Sequence, residues 1–155
     1  MVHRLTKLCV LTVLAGLAAC SRPETLQGDA RSAFMEQFRN GETELTCVVS
    51  CSGQWGYNRR VTRAQHDAGD WAMLAITTAQ IGYDGQLAWY YLGRAAEGMG
   101  AYEAASRYYK RAKFHGHPCD QVLNVCDGFA LEPLIDERLA GLVPEPVEQA
   151  EIATE

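Results

Sequence analysis

The chain has 155 residues, of which 48% are hydrophobic and 21% are charged, and its 14 basic and 19 acidic side chains give a formal net charge of −5 at pH 7. This length suffices for one small domain. The acidic balance disfavours nucleic acids and anionic lipid headgroups as partners, because both repel a negatively charged surface.

The first twenty residues have the composition of an export signal. His3, Arg4 and Lys7 form a basic start, and residues 8–17 form an uncharged apolar run. This run is too short to span a bilayer as a helix, which takes about twenty residues. Residues 17–20 read Leu-Ala-Ala-Cys and resemble a bacterial lipobox, the motif at which a peptidase cleaves before a cysteine that then carries acyl chains.

This resemblance implies a lipoprotein signal peptide over residues 1–19 and a lipid-modified Cys20. Because Ser21 rather than aspartate follows the cysteine, it also implies an outer-membrane location facing the periplasm. Each buried methylene group contributes roughly 0.8 kcal/mol to anchoring, so acyl chains alone would hold the protein at the membrane. A plain signal peptide with an incidental cysteine is the alternative.

Removal of such a leader leaves 12 basic against 19 acidic side chains, a net charge of about −7, and four cysteines besides Cys20. In an oxidising compartment these four are expected to form two disulfides. We favour Cys47–Cys51 and Cys119–Cys126, because each pair is close in sequence and can close without the rest of the fold. The alternative pairs the two clusters with each other and clamps the N-terminal segment to the end of the helical region.

The N-terminal part of the mature chain is predicted to contain one helix. Residues 20–28 carry proline, glycine and polar side chains and are predicted to be a tether. Asp29 can cap a helix over residues 30–39. Residues 45–51 are rich in β-branched side chains, which favour a strand. No second strand is predicted to pair with them, so we expect an extended or turning loop. Together these elements define a region over residues 29–54.

Helical spacing then recurs four times, over residues 55–68, 71–81, 86–97 and 101–114, with a glycine-containing break after each of the first three. His66 and Asp67 adjoin on the first of these helices, and such neighbours are expected to point apart.

The C-terminal part is predicted to close the helical region. Residues 116–142 comprise a cysteine-bounded loop and a capping helix over 131–142. The tail, residues 143–155, has four glutamates and no aromatic residue, so we expect it to be disordered.

The third and fourth helices carry a recognisable pattern. Apolar and small residues recur there at spacings of three and four and resemble the tetratricopeptide repeat consensus: Trp89, Leu92, Gly93, Ala96, Gly100, Tyr102, Ala105, Tyr109 and Ala112. Small side chains at Gly93 and Ala105 suit a close helix crossing, and Gly100 permits a tight turn. An unrelated helical hairpin is the alternative.

Residues 55–81 look like a degenerate earlier unit, weakened by polar Asn58 and Thr62 at the matching positions. The fold class implied is all-α, with short antiparallel helical hairpins of tetratricopeptide type over residues 55–115 and a disulfide-bounded C-terminal cap.

The resemblance also implies a partner-binding surface. In tetratricopeptide proteins, partners lie in the concave groove formed by the first helix of each unit. This face carries Tyr90, which could stack on a side chain, Arg94, which could bind a carboxylate, and Glu97. A basic cluster on the preceding helix would extend the face toward an anionic peptide: Arg59, Arg60 and Arg63. An ordinary solvated helix face is the alternative.

No enzyme motif is present: nucleophile-elbow, zinc-protease, phosphate-loop and haem-attachment patterns are all missing from the sequence. We therefore predict no catalytic residue, cofactor or metal. The predicted function is a membrane-anchored adaptor that binds an envelope protein or peptide in envelope, secretion or pilus assembly. The alternative is a periplasmic metal-binding protein that uses residues 115–126, where two histidines and two cysteines lie close together.

Overall fold

A computed structural model describes residues 28–119 and 126–142, and it is all-helical over these residues, as predicted. The six helices are α1 (Gly28–Arg39), α2 (Ser52–Ala68), α3 (Trp71–Ile81), α4 (Gln86–Gly98), α5 (Tyr102–Phe114) and α6 (Leu131–Gly141). The predicted signal peptide, the lipid-modified Cys20, residues 20–27 of the tether and the acidic tail lie outside the described residues, whereas Gly28 of the predicted tether is the first residue of α1. None of the helices described is long and apolar enough to cross a membrane.

Both predicted disulfides are confirmed, Cys47–Cys51 and Cys119–Cys126. The first one lies just before α2, which begins three residues earlier than predicted because the Trp55 N–H already bonds the Cys51 carbonyl at 2.8 Å. The loop before it runs beside the turn between α3 and α4, and Cys47 exchanges backbone hydrogen bonds there with Gly82 and Asp84. The disulfide loop is thereby attached to the helical region.

The helices pack in chain order from α2 to α6, and α4 also contacts α2 and α6. Helix α4 is the centre of the molecule, with ten of its 13 residues buried. It crosses α5 closely at Gly93, where an added Cβ would lie 2.5 Å from the Tyr109 ring. The small residue predicted at this crossing is therefore required by the packing. The tetratricopeptide type of the hairpins stays a prediction.

Helix α1 packs on the outer side of α5. The Phe38 and Tyr108 rings stack with their centroids 5.4 Å apart, and both side chains are fully buried. The Tyr108 hydroxyl donates to the Phe38 carbonyl at 2.8 Å and accepts from the Thr43 N–H at 3.3 Å. At the other end of the chain, Leu131 and Ile135 bury α6 in the same core. These contacts leave α2 at the edge of the helical region.

Candidate functional site

Helices α2 and α4 contact each other, and side chains from both form one shared surface. Arg59, Arg63 and His66 lie at spacings of four and three, which places them on one face of α2. Tyr90 and Tyr91 face them from α4, with the His66 ring 6.3 Å and 5.4 Å from their ring centroids. We call this surface the α2–α4 groove. It combines two guanidinium groups with three rings.

The chain itself fills this groove with Phe129. The Phe129 ring lies edge-on to His66 at 5.6 Å and to Tyr91 at 6.3 Å, and it is tilted against Tyr90 at 5.7 Å. The Arg63 guanidinium covers its face, 4.3 Å from the ring centroid. A cation over an aromatic face is attracted by the ring quadrupole. Phe129 is therefore held by ring contacts and by a cation.

Asp127 occupies the basic end of the same groove. Its Oδ1 pairs with Arg59 Nε at 2.8 Å, and its Oδ2 accepts from the Tyr91 hydroxyl at 3.3 Å. Its backbone carbonyl accepts from Arg63 Nη1 at 2.9 Å. Burial raises the pKa of Asp127, and the neighbouring Arg59 opposes that rise. One short segment thus supplies a carboxylate, a carbonyl and a ring to side chains of two different helices.

His66 and Asp67 are hydrogen-bonded, although adjacent helical residues were expected to point apart. The His66 Nδ1 and Asp67 Oδ1 atoms lie 2.9 Å apart, and the Asp67 carboxylate also pairs with Arg63 at 2.8 Å. The expectation was wrong because the Asp67 carboxylate bonds Arg63 and His66 at the same time. The hydrogen bond from His66, and then the one from Arg63, lowers the pKa of Asp67. This pair fixes the orientation of Arg63 and of the His66 ring beside Phe129.

The predicted partner-binding residues lie next to the groove, but they are not on an open face. Tyr90 is only 3% exposed and lies against Phe129. Arg94 pairs with Glu97 at 2.9 Å and lies over the Trp71 ring. The burial of Tyr90 differs from the alternative of an ordinary solvated helix face, because Phe129 lies against the Tyr90 ring. Binding of a partner by these residues stays a prediction.

Glu97 lies on α4 and bonds side chains of α5 and α6, so it connects three helices. Its Oε2 accepts from the Tyr109 hydroxyl of α5 at 2.5 Å, and its Oε1 pairs with Arg138 of α6 at 3.2 Å. Burial, and then the bond to Glu97, raises the pKa of Tyr109 well above its usual range. These bonds hold α6 against α4 and α5, so this network explains part of the packing of the C-terminal cap.

Three clefts are found on the described surface, and the two larger ones lie beside α6. A cleft of about 1000 Å³ between α5 and α6 has both signs of charge on its walls, and its basic residues are occupied in part, since Arg138 pairs with Glu97 and Arg107 bonds the Asn40 carbonyl. A second cleft, of about 670 Å³, lies beside the Cys119–Cys126 disulfide. The first cleft mixes acidic and basic side chains, and the second is lined in part by Phe129, which already belongs to the α2–α4 groove.

The proposed alternative metal site has its sulfur atoms in a disulfide. Cys119 and Cys126 are bonded to each other, and His115 and His117 are exposed. Across residues 28–119 and 126–142 the structure has no group of three or more histidine, cysteine or acidic side chains able to hold a metal ion. The intervening residues 120–125 lie outside the described part of the chain.

The sequence predicts the basic cluster of Arg59, Arg60 and Arg63, but it does not predict the residues that these arginines contact. Asp127 and Phe129 are absent from the predicted binding face. The Asp127-Gly128 dipeptide is a turn signal beside a cysteine, and that signal was available. Comparison of the chain with protein-family models, curated proteins and solved structures gives no match.

Proposed function

We propose that this protein is an adaptor that binds a protein or peptide segment through the α2–α4 groove. The observation that carries the proposal is the way the groove holds residues 127–129: it binds a carboxylate, a main-chain carbonyl and an aromatic ring together. Those three groups are also what a peptide segment of a partner presents. Arginine suits the first two because its planar guanidinium donates several hydrogen bonds in fixed directions.

The setting of the adaptor is proposed from the sequence. The lipobox-like residues 17–20 and the serine after them support a lipid anchor at the outer membrane, facing the periplasm. The two disulfides are consistent with an oxidising compartment. The order in which α2 to α5 pack supports a tetratricopeptide-like pair of hairpins. An adaptor on a lipid tether would bind partners in envelope, secretion or pilus assembly.

Crosslinking in the native envelope tests the adaptor function. A photoreactive residue is placed at Arg60, which is exposed on α2 beside the groove, and in a matched control at Glu36, which is exposed on α1. Discrete adducts at position 60 that are missing at position 36 are the expected result, and mass spectrometry then identifies the partner. Equal or absent adducts at both positions would remove the support for partner binding at this face.

The anchor is tested separately. Cys20→Ala should move the protein from the membrane fraction to the soluble periplasmic fraction, since the lipid supplies the anchoring free energy. Retention in the membrane fraction, with the leader cleaved elsewhere, would contradict lipidation at Cys20. The metal-binding alternative is tested on the same preparation, because it requires free thiols at positions 119 and 126, whereas the disulfide-bonded form has none to titrate.

A further inference from the structure

Residues 126–129 form a tight turn that projects two side chains in one direction. The Phe129 N–H bonds the Cys126 carbonyl at 2.9 Å, and the two central residues have positive φ, 52° at Asp127 and 79° at Gly128. Two consecutive positive φ angles are typical of a type I′ turn, which favours aspartate or asparagine followed by glycine. The turn places the Asp127 carboxylate and the Phe129 ring in the groove together.

The disulfide attaches this turn to the start of α4. Cys126 is bonded to Cys119, and the Cys119 N–H points at the Gln86 Oε1, 3.4 Å away. The Gln86 N–H in turn donates to the His117 carbonyl at 2.9 Å. The turn is therefore held beside the groove by a covalent link, independently of its contacts inside the groove.

Helix α6, which follows the turn, is held by its own apolar contacts and not by the turn. Leu131 and Ile135 of α6 are 4% and 0% exposed, whereas Asp127 and Phe129 are only partly buried and Gly128 is exposed. The groove side chains that hold the turn are also partly exposed, with 30% of the Arg59 side chain and 39% of the Arg63 side chain accessible. The turn can thus leave the groove while α6 keeps its apolar contacts.

We propose that residues 127–129 are an internal ligand of the α2–α4 groove, and that the groove's external ligand is a peptide segment with a carboxylate and an aromatic side chain two residues further on. This inference rests on the proposed adaptor function. It adds the chemical class of the partner and states that the chain's own turn competes with that partner. The partner competes with a segment that the disulfide keeps nearby at high effective concentration. Its apparent affinity is reduced by the small fraction of molecules in which the groove is open.

Peptide binding to purified, disulfide-bonded protein tests the inference. The probe is a fluorescein-labelled hexapeptide, SDGFAL, which copies residues 126–131 with serine in place of Cys126. If the groove is open in 1–10% of wild-type molecules, opening it fully tightens binding about 10- to 100-fold. Phe129→Ala and, separately, Asp127→Asn should each bind the probe at least about tenfold more tightly than wild type. Asparagine keeps the turn because it also accepts positive φ.

Two second-site variants locate the binding. Adding Arg59→Ala to Phe129→Ala should abolish the gain, because the probe carboxylate then lacks its partner. Adding Arg31→Ala, which removes an exposed arginine of α1, is the matched control and should leave the gain unchanged. A probe with asparagine and alanine in place of its aspartate and phenylalanine should not bind.

The outcomes separate this inference from the adaptor function. Folded variants that bind the probe no better than wild type would overturn the internal ligand, even if crosslinking at position 60 identifies a partner. If the gain in probe affinity persists after Arg59→Ala, the probe binds outside the groove, and the inference is overturned. If the variants unfold, wild-type protein titrated with millimolar unlabelled peptide should shift the Phe129 and Tyr91 ring resonances, and unshifted resonances would overturn it. Failure of crosslinking with a positive peptide titration would instead count against the adaptor alone.

Discussion

The helix pairs α2–α3 and α4–α5 differ in how much of their first helix is buried. Helix α4 buries ten of its 13 residues, whereas α2 buries only Trp55 and Thr62 of 17. On its outer side α2 exposes Tyr57 and Val61, which are 86% and 48% accessible. Helix α2 is therefore a largely exposed helix that contributes one face to the α2–α4 groove, whereas α4 is part of the core.

Thr62 is one of the two buried residues of α2. As a polar residue at a matching position it weakened the resemblance of residues 55–81 to an earlier repeat unit, yet it is fully buried. Its hydroxyl donates to the Arg59 carbonyl at 2.9 Å, one turn back on the same helix. A threonine can satisfy its hydroxyl within its own helix in this way and still pack its methyl group. Thr62 therefore occupies a buried position without leaving its hydroxyl unpaired.

The largest difference between the pairs should appear on substituting their glycines. Gly93→Leu is expected to unfold the α4–α5 pair, because even a Cβ there would lie 2.5 Å from the Tyr109 ring, and overpacking costs at least about 1–3 kcal/mol. Gly56→Ala on α2 meets nothing within 4 Å and should stabilise by roughly 0.5–1 kcal/mol, since alanine is the better helix former. Urea unfolding of both variants measures this contrast, and equal effects would show that the packing difference is wrong.

Removal of each disulfide in turn should affect stability alike but probe binding differently. In the chain-entropy picture, loops this short stabilise the fold by about 2–3 kcal/mol each. Cys47→Ser with Cys51→Ser should therefore lower the free energy of unfolding about as much as Cys119→Ser with Cys126→Ser. Only the second double variant should bind the SDGFAL probe more tightly than wild type, because only it detaches the turn from α4. A gain in probe affinity for both double variants, or for neither, would contradict the role of the Cys119–Cys126 disulfide in holding the turn at the groove.

Alkaline pH should act mainly through α4 and α5, which carry the buried tyrosines. Burial raises the pKa of Tyr90, Tyr91, Tyr108 and Tyr109. The unfolded chain loses these protons near pH 10 and the folded chain retains them, so stability is fully present below about pH 10 and falls as the pH rises further. Urea unfolding between pH 8 and 11 measures the decline. Tyr109→Phe should flatten it, and an unchanged slope in that variant would contradict a buried, neutral Tyr109.

The local features of this fold were predictable from the sequence. Helix positions follow from apolar spacing and from the glycine breaks, and the disulfides join cysteines only four and seven residues apart. Gly93 was predictable because a small residue inside a regular pattern marks a close crossing. The lipid anchor and the tetratricopeptide relationship are carried by sequence motifs and stay predictions.

The contents of the groove were not predictable by the same reasoning. Asp127 meets Arg59 across more than sixty residues of chain, and its position depends on where the backbone returns after the disulfide. Helix periodicity places Tyr90 on a face but does not say what covers that face. The burial of Tyr90 beneath Phe129 is thus a consequence of tertiary packing, and it converts a predicted open surface into an occupied one.

The most direct test of the central claim, that the α2–α4 groove binds a partner and is covered by the chain's own turn, is made in the native envelope. Photocrosslinking at position 60 is compared between the wild-type chain and the Phe129→Ala variant at equal expression. The same partner is expected in both, with several-fold more adduct in the variant. Equal adduct in the two, or an adduct lost in the variant while its fold and melting temperature are retained, would contradict it.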